Sequence, residues 1–230
     1  MLVNRISVRA CALVLVLAGA ALALTGCSHP ALATETNPSS AATQPVVVAI
    51  GDSIMKGHGL SAAQAWPAML AKSNNWDLTN LACDGAGFVA AGDDSDCGAD
   101  FSGLVSEAVA LRPDLILISG SSNDLGIDNV KLTTETDSVV TSLRAALPTT
   151  TIIGISTVWN DTAAPNQMDD INEQVRTAIL AVKGTYLDIG QPLAGHRSWL
   201  QSDDVHPTVR GQQELAGVIA GAIRSAKLSI

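Results

Sequence analysis

The sequence predicts an α/β fold with a central parallel sheet of about five strands. Three observations predict it. Short apolar runs recur at 46–50, 77–81, 114–119, 151–156 and 185–189. Stretches with helical spacing lie between them, near 61–73, 102–111, 133–147, 166–183 and 208–226. The runs at 114–118 and 151–155 are nearly continuous in apolar residues, as expected of strands covered on both faces. Strand–helix alternation of this kind argues for a parallel sheet with a helical layer on each side.

The chain of 230 residues divides into three parts. Residues 1–26 form a targeting segment: Arg5 and Arg9 precede an apolar stretch, 10–24, that is short for a membrane span. It ends in Leu24-Thr25-Gly26-Cys27, which looks like a bacterial lipobox with Cys27 as the lipidated first residue of the mature protein. Ordinary signal cleavage and an uncleaved anchor are the alternatives. Residues 27–45 are rich in Ala, Thr, Ser and Pro, without apolar periodicity, and read as a disordered tether. Its reach would be roughly 20–25 Å. Residues 46–230 then form one catalytic-sized domain, large enough for a substantial core.

Composition narrows the options. Hydrophobic residues make up 47% of the chain but aromatics only 3%, so the core must be built from Val, Ile, Leu and Ala. The formal net charge is −9. The leader carries arginines and no acids, so the mature part is more acidic still. That argues against nucleic acid as a partner, because phosphate binding needs clustered cations. With Cys11 in the leader and Cys27 lipidated, Cys83 and Cys97 remain as a pair in an exported protein. A disulfide is the economical reading, and two free thiols the alternative.

Taken in order, the strands deliver chemistry to one edge of the sheet. The run 46–50 leads into Gly51-Asp52-Ser53, and the hydroxyl of Ser53 would sit beyond the carboxyl end of a buried strand, where open α/β sheets place ligands. The run 77–81 leads into Asn80-Leu81-Ala82-Cys83-Asp84-Gly85, and 114–119 into Gly120-Ser121-Ser122-Asn123-Asp124. Residues 82–101 carry many Gly and Asp residues and little periodicity, as in an irregular loop. Far downstream, Asp203-Asp204-Val205-His206-Pro207 puts a carboxylate three residues before an imidazole, with Pro207 fixing the path into the last helix. A serine hydroxyl is a poor nucleophile unless a base takes its proton and a third group holds that base in the right tautomer.

These ordered segments resemble the SGNH (GDSL-type) hydrolase superfamily, over residues 46 to about 225. The resemblance implies a flavodoxin-like, three-layer α/β/α architecture and a serine esterase. It implies Ser53 as nucleophile, His206 as general base and Asp203 as its orienting carboxylate, with Asp204 as the rival. It implies an oxyanion hole built from the N–H of Ser53, the N–H of Gly85 and the side-chain amide of Asn123. Asp52 and Asp124 read as structural carboxylates that hold the loops. The chain departs from the family at Ser121, which stands where a glycine is usual, and at Ile54, where leucine follows the serine.

Other groups read less sharply. His58, in Lys56-Gly57-His58-Gly59, is either a surface-loop residue or a substrate contact. His29 and His196 have no partner pattern. Trp159 and Asn160 either line the substrate pocket or pack, and Trp66, Trp76 and Trp199 read as core or domain-edge residues. Asp93, Asp94, Asp96 and Asp100 lack the D-x-D-x-D-G spacing of a calcium loop. No G-x-S-x-G of a lipase-type α/β-hydrolase is present, and too few motif histidines exist for two metals. The expectation is therefore a monomer without metal or cofactor, tethered to the outer face of the cell membrane by lipid. Its substrate would be a small-molecule, lipid or acylated-glycan ester. The competing expectation is a non-catalytic envelope lipoprotein that binds glycan or lipid in the same cleft.

Overall fold

The computed structural model describes residues 43–228. Cys27, the leader, the tether up to residue 42 and His29 lie outside the described residues. Five strands form one sheet: β1 (Val46–Ile50), β2 (Asp77–Asn80), β3 (Leu115–Ser119), β4 (Thr151–Ile155) and β5 (Thr185–Leu187). Their order is β2-β1-β3-β4-β5 and every pairing is parallel. This is the flavodoxin-like order, in which the chain reverses direction of winding beside β1 and leaves a crevice at the strand ends.

Side-chain alternation builds the two faces. Val47, Ala49, Leu115, Leu117, Ile153 and Ile155 face one way, against α1 (Ser53–Lys56), α2 (Trp66–Asn74) and α6 (Val209–Ser225). Val48, Ile50, Ile116, Ile118 and Ile152 face the other, against α3 (Phe101–Ala110), α4 (Asn129–Ala146) and α5 (Gln167–Ala181). The three-layer arrangement follows, with β1 and β3 buried on both sides. Aliphatic side chains dominate this core, as the composition requires.

Boundaries shift where local chemistry decides them. The helix expected from residue 61 begins at Trp66, because Ser61–Gln64 closes its own short capping turn and Pro67 occupies the first turn of α2. The helix expected from 133 begins at Asn129, because Asp128 accepts the N–H groups of Val130 and Lys131. Residues 82–100 contain no helix or strand, in line with the irregular loop expected there. No helix among the described residues is long and apolar enough to cross a membrane.

Candidate active site

Ser53 lies three residues beyond the end of β1, as the first residue of the one-turn helix α1. Asp52 caps that helix: its Oδ1 accepts the N–H of Ile54 at 3.0 Å. Asp52 is 4% exposed. Burial pushes its carboxyl above the usual carboxylate range, against the opposing pull of the Ser121 hydroxyl, the N–H groups of Ile54 and Met55, and the His206 charge. Its role is to fix the turn that presents Ser53, as expected of a structural carboxylate.

The segment 200–207 folds back as a clasp. Leu200 and Pro207 form an antiparallel bridge, the Gln201 N–H donates to the His206 carbonyl at 2.7 Å, and Thr208 begins α6 as its N-cap. The clasp brings His206 Nε2 to 2.9 Å from Ser53 Oγ and His206 Nδ1 to 2.8 Å from Asp203 Oδ2. Asp203 Oδ1 accepts the N–H groups of Val205 and His206. Burial works against the Asp203 anion, but the backbone N–H and ring of His206 and the N–H of Val205 outweigh it. They hold this carboxyl well below its ordinary range. Asp204 turns away: it adopts φ +64°, pairs with Arg197, and its carbonyl accepts the Asn160 amide at 3.2 Å.

Ser121, the departure from the family pattern, ties three motifs together. Its hydroxyl lies 2.9 Å from Asp52 Oδ2 and 2.8 Å from the Ala86 carbonyl, and accepts the N–H of Asn123. The glycine one residue earlier is needed for space, since a Cβ at Gly120 would collide with Thr157 Oγ1. The Asn123 side-chain amide donates to the Ala86 carbonyl at 3.0 Å, beside Gly85. Gly85 has φ +75°, a conformation that disfavours any side chain. Asp124 is fully buried and accepts the N–H groups of Phe88, Val89 and Ala90, which pins the 82–101 loop. Burial raises its carboxyl above the ordinary range despite those three donors. Cys83 and Cys97 are joined in a disulfide, with Cα atoms 6.0 Å apart, two residues from Gly85.

His58 is not a free loop residue. Its Nδ1 lies 2.8 Å from Asp84 Oδ2, and its ring stacks on that of His206 with centroids 4.1 Å apart and planes 27° apart. Lys56 pairs with Asp84 and Asp96 beside it. The sequence signal was its position five residues after Ser53, between two glycines; nothing local specified the stack. Donor atoms of His58, Asp203 and His206 lie within 4.8 Å of one another. Both Nδ1 atoms already face carboxylates, however, and stacked rings keep their lone pairs in near-parallel planes. The arrangement is two imidazole–carboxylate pairs packed together, not a converging ligand set.

Trp66 and Trp76 are buried in the core. His196 does have a partner: it stacks on Trp199 with centroids 3.6 Å apart, and the Arg210 guanidinium lies 5.6 Å from the same Trp199 ring. The Trp159 indole N–H donates to Thr162 on the loop after β4. A groove of about 620 Å³ shares His58 and Asp84 with the site and is also lined by Lys56, Asn80 and Glu107. A cavity of similar size, about 610 Å³, lies at the opposite end of β4 and β5, around Arg144 and Lys183, and holds none of the candidate residues.

A parallel sheet of this order, with chemistry-bearing loops gathered at the carboxyl ends of β1, β2 and β3, defines an α/β hydrolytic scaffold of the SGNH type. The profile of the GDSL-like lipase/acylhydrolase family matches residues 49–214, well over half of the chain, and the chain belongs to that family. It is a carboxylic ester hydrolase of that kind. Comparison of the sequence with curated proteins finds no match. Among solved structures, the fold is similar to TesA (18% identity, TM-score 0.62, covering 78% of this chain and 98% of that one). It is also similar to the psychrotrophic esterase EstA from Pseudoalteromonas sp. (17%, 0.61, 79% and 98%). A third likeness is to an extracellular lipase from Streptomyces rimosus (17%, 0.59, 77% and 99%).

Proposed function

We propose that this protein is a serine esterase that cleaves carboxylic esters through an acyl-enzyme on Ser53. The observation that carries the reading is the continuous chain of contacts from Ser53 Oγ through His206 to Asp203, at 2.9 and 2.8 Å. In the proposed cycle the neutral His206 Nε2 accepts the Ser53 proton as the hydroxyl oxygen attacks the ester carbonyl. The N–H groups of Ser53 and Gly85 and the Asn123 amide receive the developing oxyanion. The imidazolium then protonates the leaving alcohol, and water, deprotonated by His206, releases the acid. Asp203 keeps the Nδ1–H tautomer in place and stabilises the imidazolium. No metal or cofactor enters.

The groove that shares His58 and Asp84 with the site mixes Leu60, Leu81 and Leu104 with polar groups. This suits a short or medium acyl ester of a small molecule, a glycan or a lipid. The leader, the Leu24–Cys27 lipobox and the disulfide support placement outside the cell membrane, held by lipid on Cys27. Monomeric action is part of the same reading.

The test is labelling with a serine-reactive organophosphonate, read by mass spectrometry. The expected adduct is on Ser53, is absent in Ser53→Ala and is suppressed in His206→Ala. Folded protein that stays unlabelled and fails to cleave p-nitrophenyl esters from acetate to palmitate would instead identify a non-catalytic binder.

A further inference from the structure

We infer that His58 is a positioning residue for His206: a second imidazole–carboxylate pair, His58–Asp84, that braces one face of the base. The inference rests on the proposed role of His206. Two hydrogen bonds fix His58, and the second links it to the segment that carries His206. Asp84 Oδ2 lies 2.8 Å from its Nδ1. Its backbone carbonyl accepts the Gln201 side-chain amide at 2.7 Å. The same amide donates to the Pro207 carbonyl at 3.0 Å, so one side chain ties the His58 loop to the clasp that carries His206. Asp84 is itself anchored, with its carboxylate 3.3 Å from Lys56 Nζ and its N–H donating to Asp96.

The need for such a brace follows from exposure. The His206 side chain is 17% exposed, but Asp203, which orients it, is 42% exposed. Water therefore has access to the Asp203 contact, which holds one edge of the His206 ring and leaves its faces to be held by something else. A flat ring stacked 4.1 Å away blocks rotation of the His206 ring toward that side and keeps water off its face. Small misplacements of a base cost rate without weakening substrate binding. His58 acts on the reaction through His206, with no bond to the reacting atoms.

Three substitutions of this half-exposed residue separate stacking from hydrogen bonding. His58→Ala removes both and is expected to lower kcat roughly tenfold, with KM and melting temperature little changed. His58→Phe restores the flat ring without the Asp84 contact and is expected to recover most of kcat. His58→Gln can still donate to Asp84 but cannot stack, and is expected to behave like Ala. The inference is overturned if all three match the parent, if Gln recovers kcat and Phe does not, or if KM alone changes. Retained activity in His206→Ala would overturn the reading of the base itself, whatever the His58 variants do.

Discussion

Asp203 grips His206 twice: one carboxylate oxygen accepts the His206 backbone N–H at 3.0 Å and the other lies 2.8 Å from ring Nδ1. The same side chain thus shapes the turn and aims the imidazole. In Asp203→Asn the amide can present its NH₂ to Nδ1 and favour the wrong tautomer, so kcat for p-nitrophenyl acetate should fall by about 10⁴-fold. Asp204→Asn, one residue on, disturbs only an exposed pair with Arg197 and should keep most of the activity. Equal loss in both variants would show that the loop matters and the particular carboxylate does not.

The same contacts set a pH dependence of stability. The Asp203 carboxyl is held below its unfolded value of about 3.9. Its contribution to stability is therefore present at neutral pH and is lost as pH falls from about 4 downward. Melting temperatures of the parent and Asp203→Asn should differ at pH 7, and the gap should narrow progressively below about pH 4, closing only as pH falls through the depressed folded-state value. A gap that is constant with pH would remove the charge from the explanation.

Asn123 is bonded through its amide to the Ala86 carbonyl, which leaves one N–H of the same amide for a ligand. Asn123→Ala should keep the fold and lower kcat by about 10²–10³-fold, the usual loss for one oxyanion donor. Ser53→Ala should be far worse, because no acyl-enzyme can form. Circular dichroism alongside steady-state kinetics separates loss of chemistry from loss of fold.

The disulfide closes a loop of about 15 residues, for which the chain-entropy estimate is about 3 kcal/mol. The double variant Cys83→Ser/Cys97→Ser should melt lower. Its kcat should also fall, because the bridge pins residues on either side of Gly85. Unchanged melting on reduction would show that Asp124, with its three backbone N–H donors, holds the loop without help.

Much of this was legible in the sequence because it is local or periodic. The continuous apolar runs of β3 and β4 announce burial on both faces, and Asp203-x-x-His206 is close enough in sequence to be read as one turn. Strand order was not legible, since nothing in the residues of β1 names β3 as its neighbour. The His58–His206 stack joins residues far apart in the chain through the Gln201 amide, and no spacing encodes it. His196 and Trp199 are near neighbours in sequence, but their rings meet only through the short 3₁₀ turn at Arg197–Trp199, which no apolar periodicity announces.

The Ser121 hydroxyl sits between Asp52 and the Ala86 carbonyl, a contact that a glycine at this position could not make. Ser121→Ala leaves buried Asp52 short of a donor and the Asn123 N–H short of an acceptor. Stability should fall by about 1–3 kcal/mol, the cost of unsatisfied buried polar groups. At about 2–4 °C per kcal/mol for a domain of this size, the loss is visible in a thermal melt. Activity should also fall, because Ser121 contacts both Asp52, which caps the turn that presents Ser53, and Asn123, the proposed oxyanion donor. Ser121→Thr keeps the hydroxyl but adds a methyl group at a position with no exposure, so it should retain the hydrogen bonds only if Asp52 and Ala86 can part slightly. If Ser121→Ala melts and turns over like the parent, the hydroxyl is a passenger and the three motifs are held together by backbone alone.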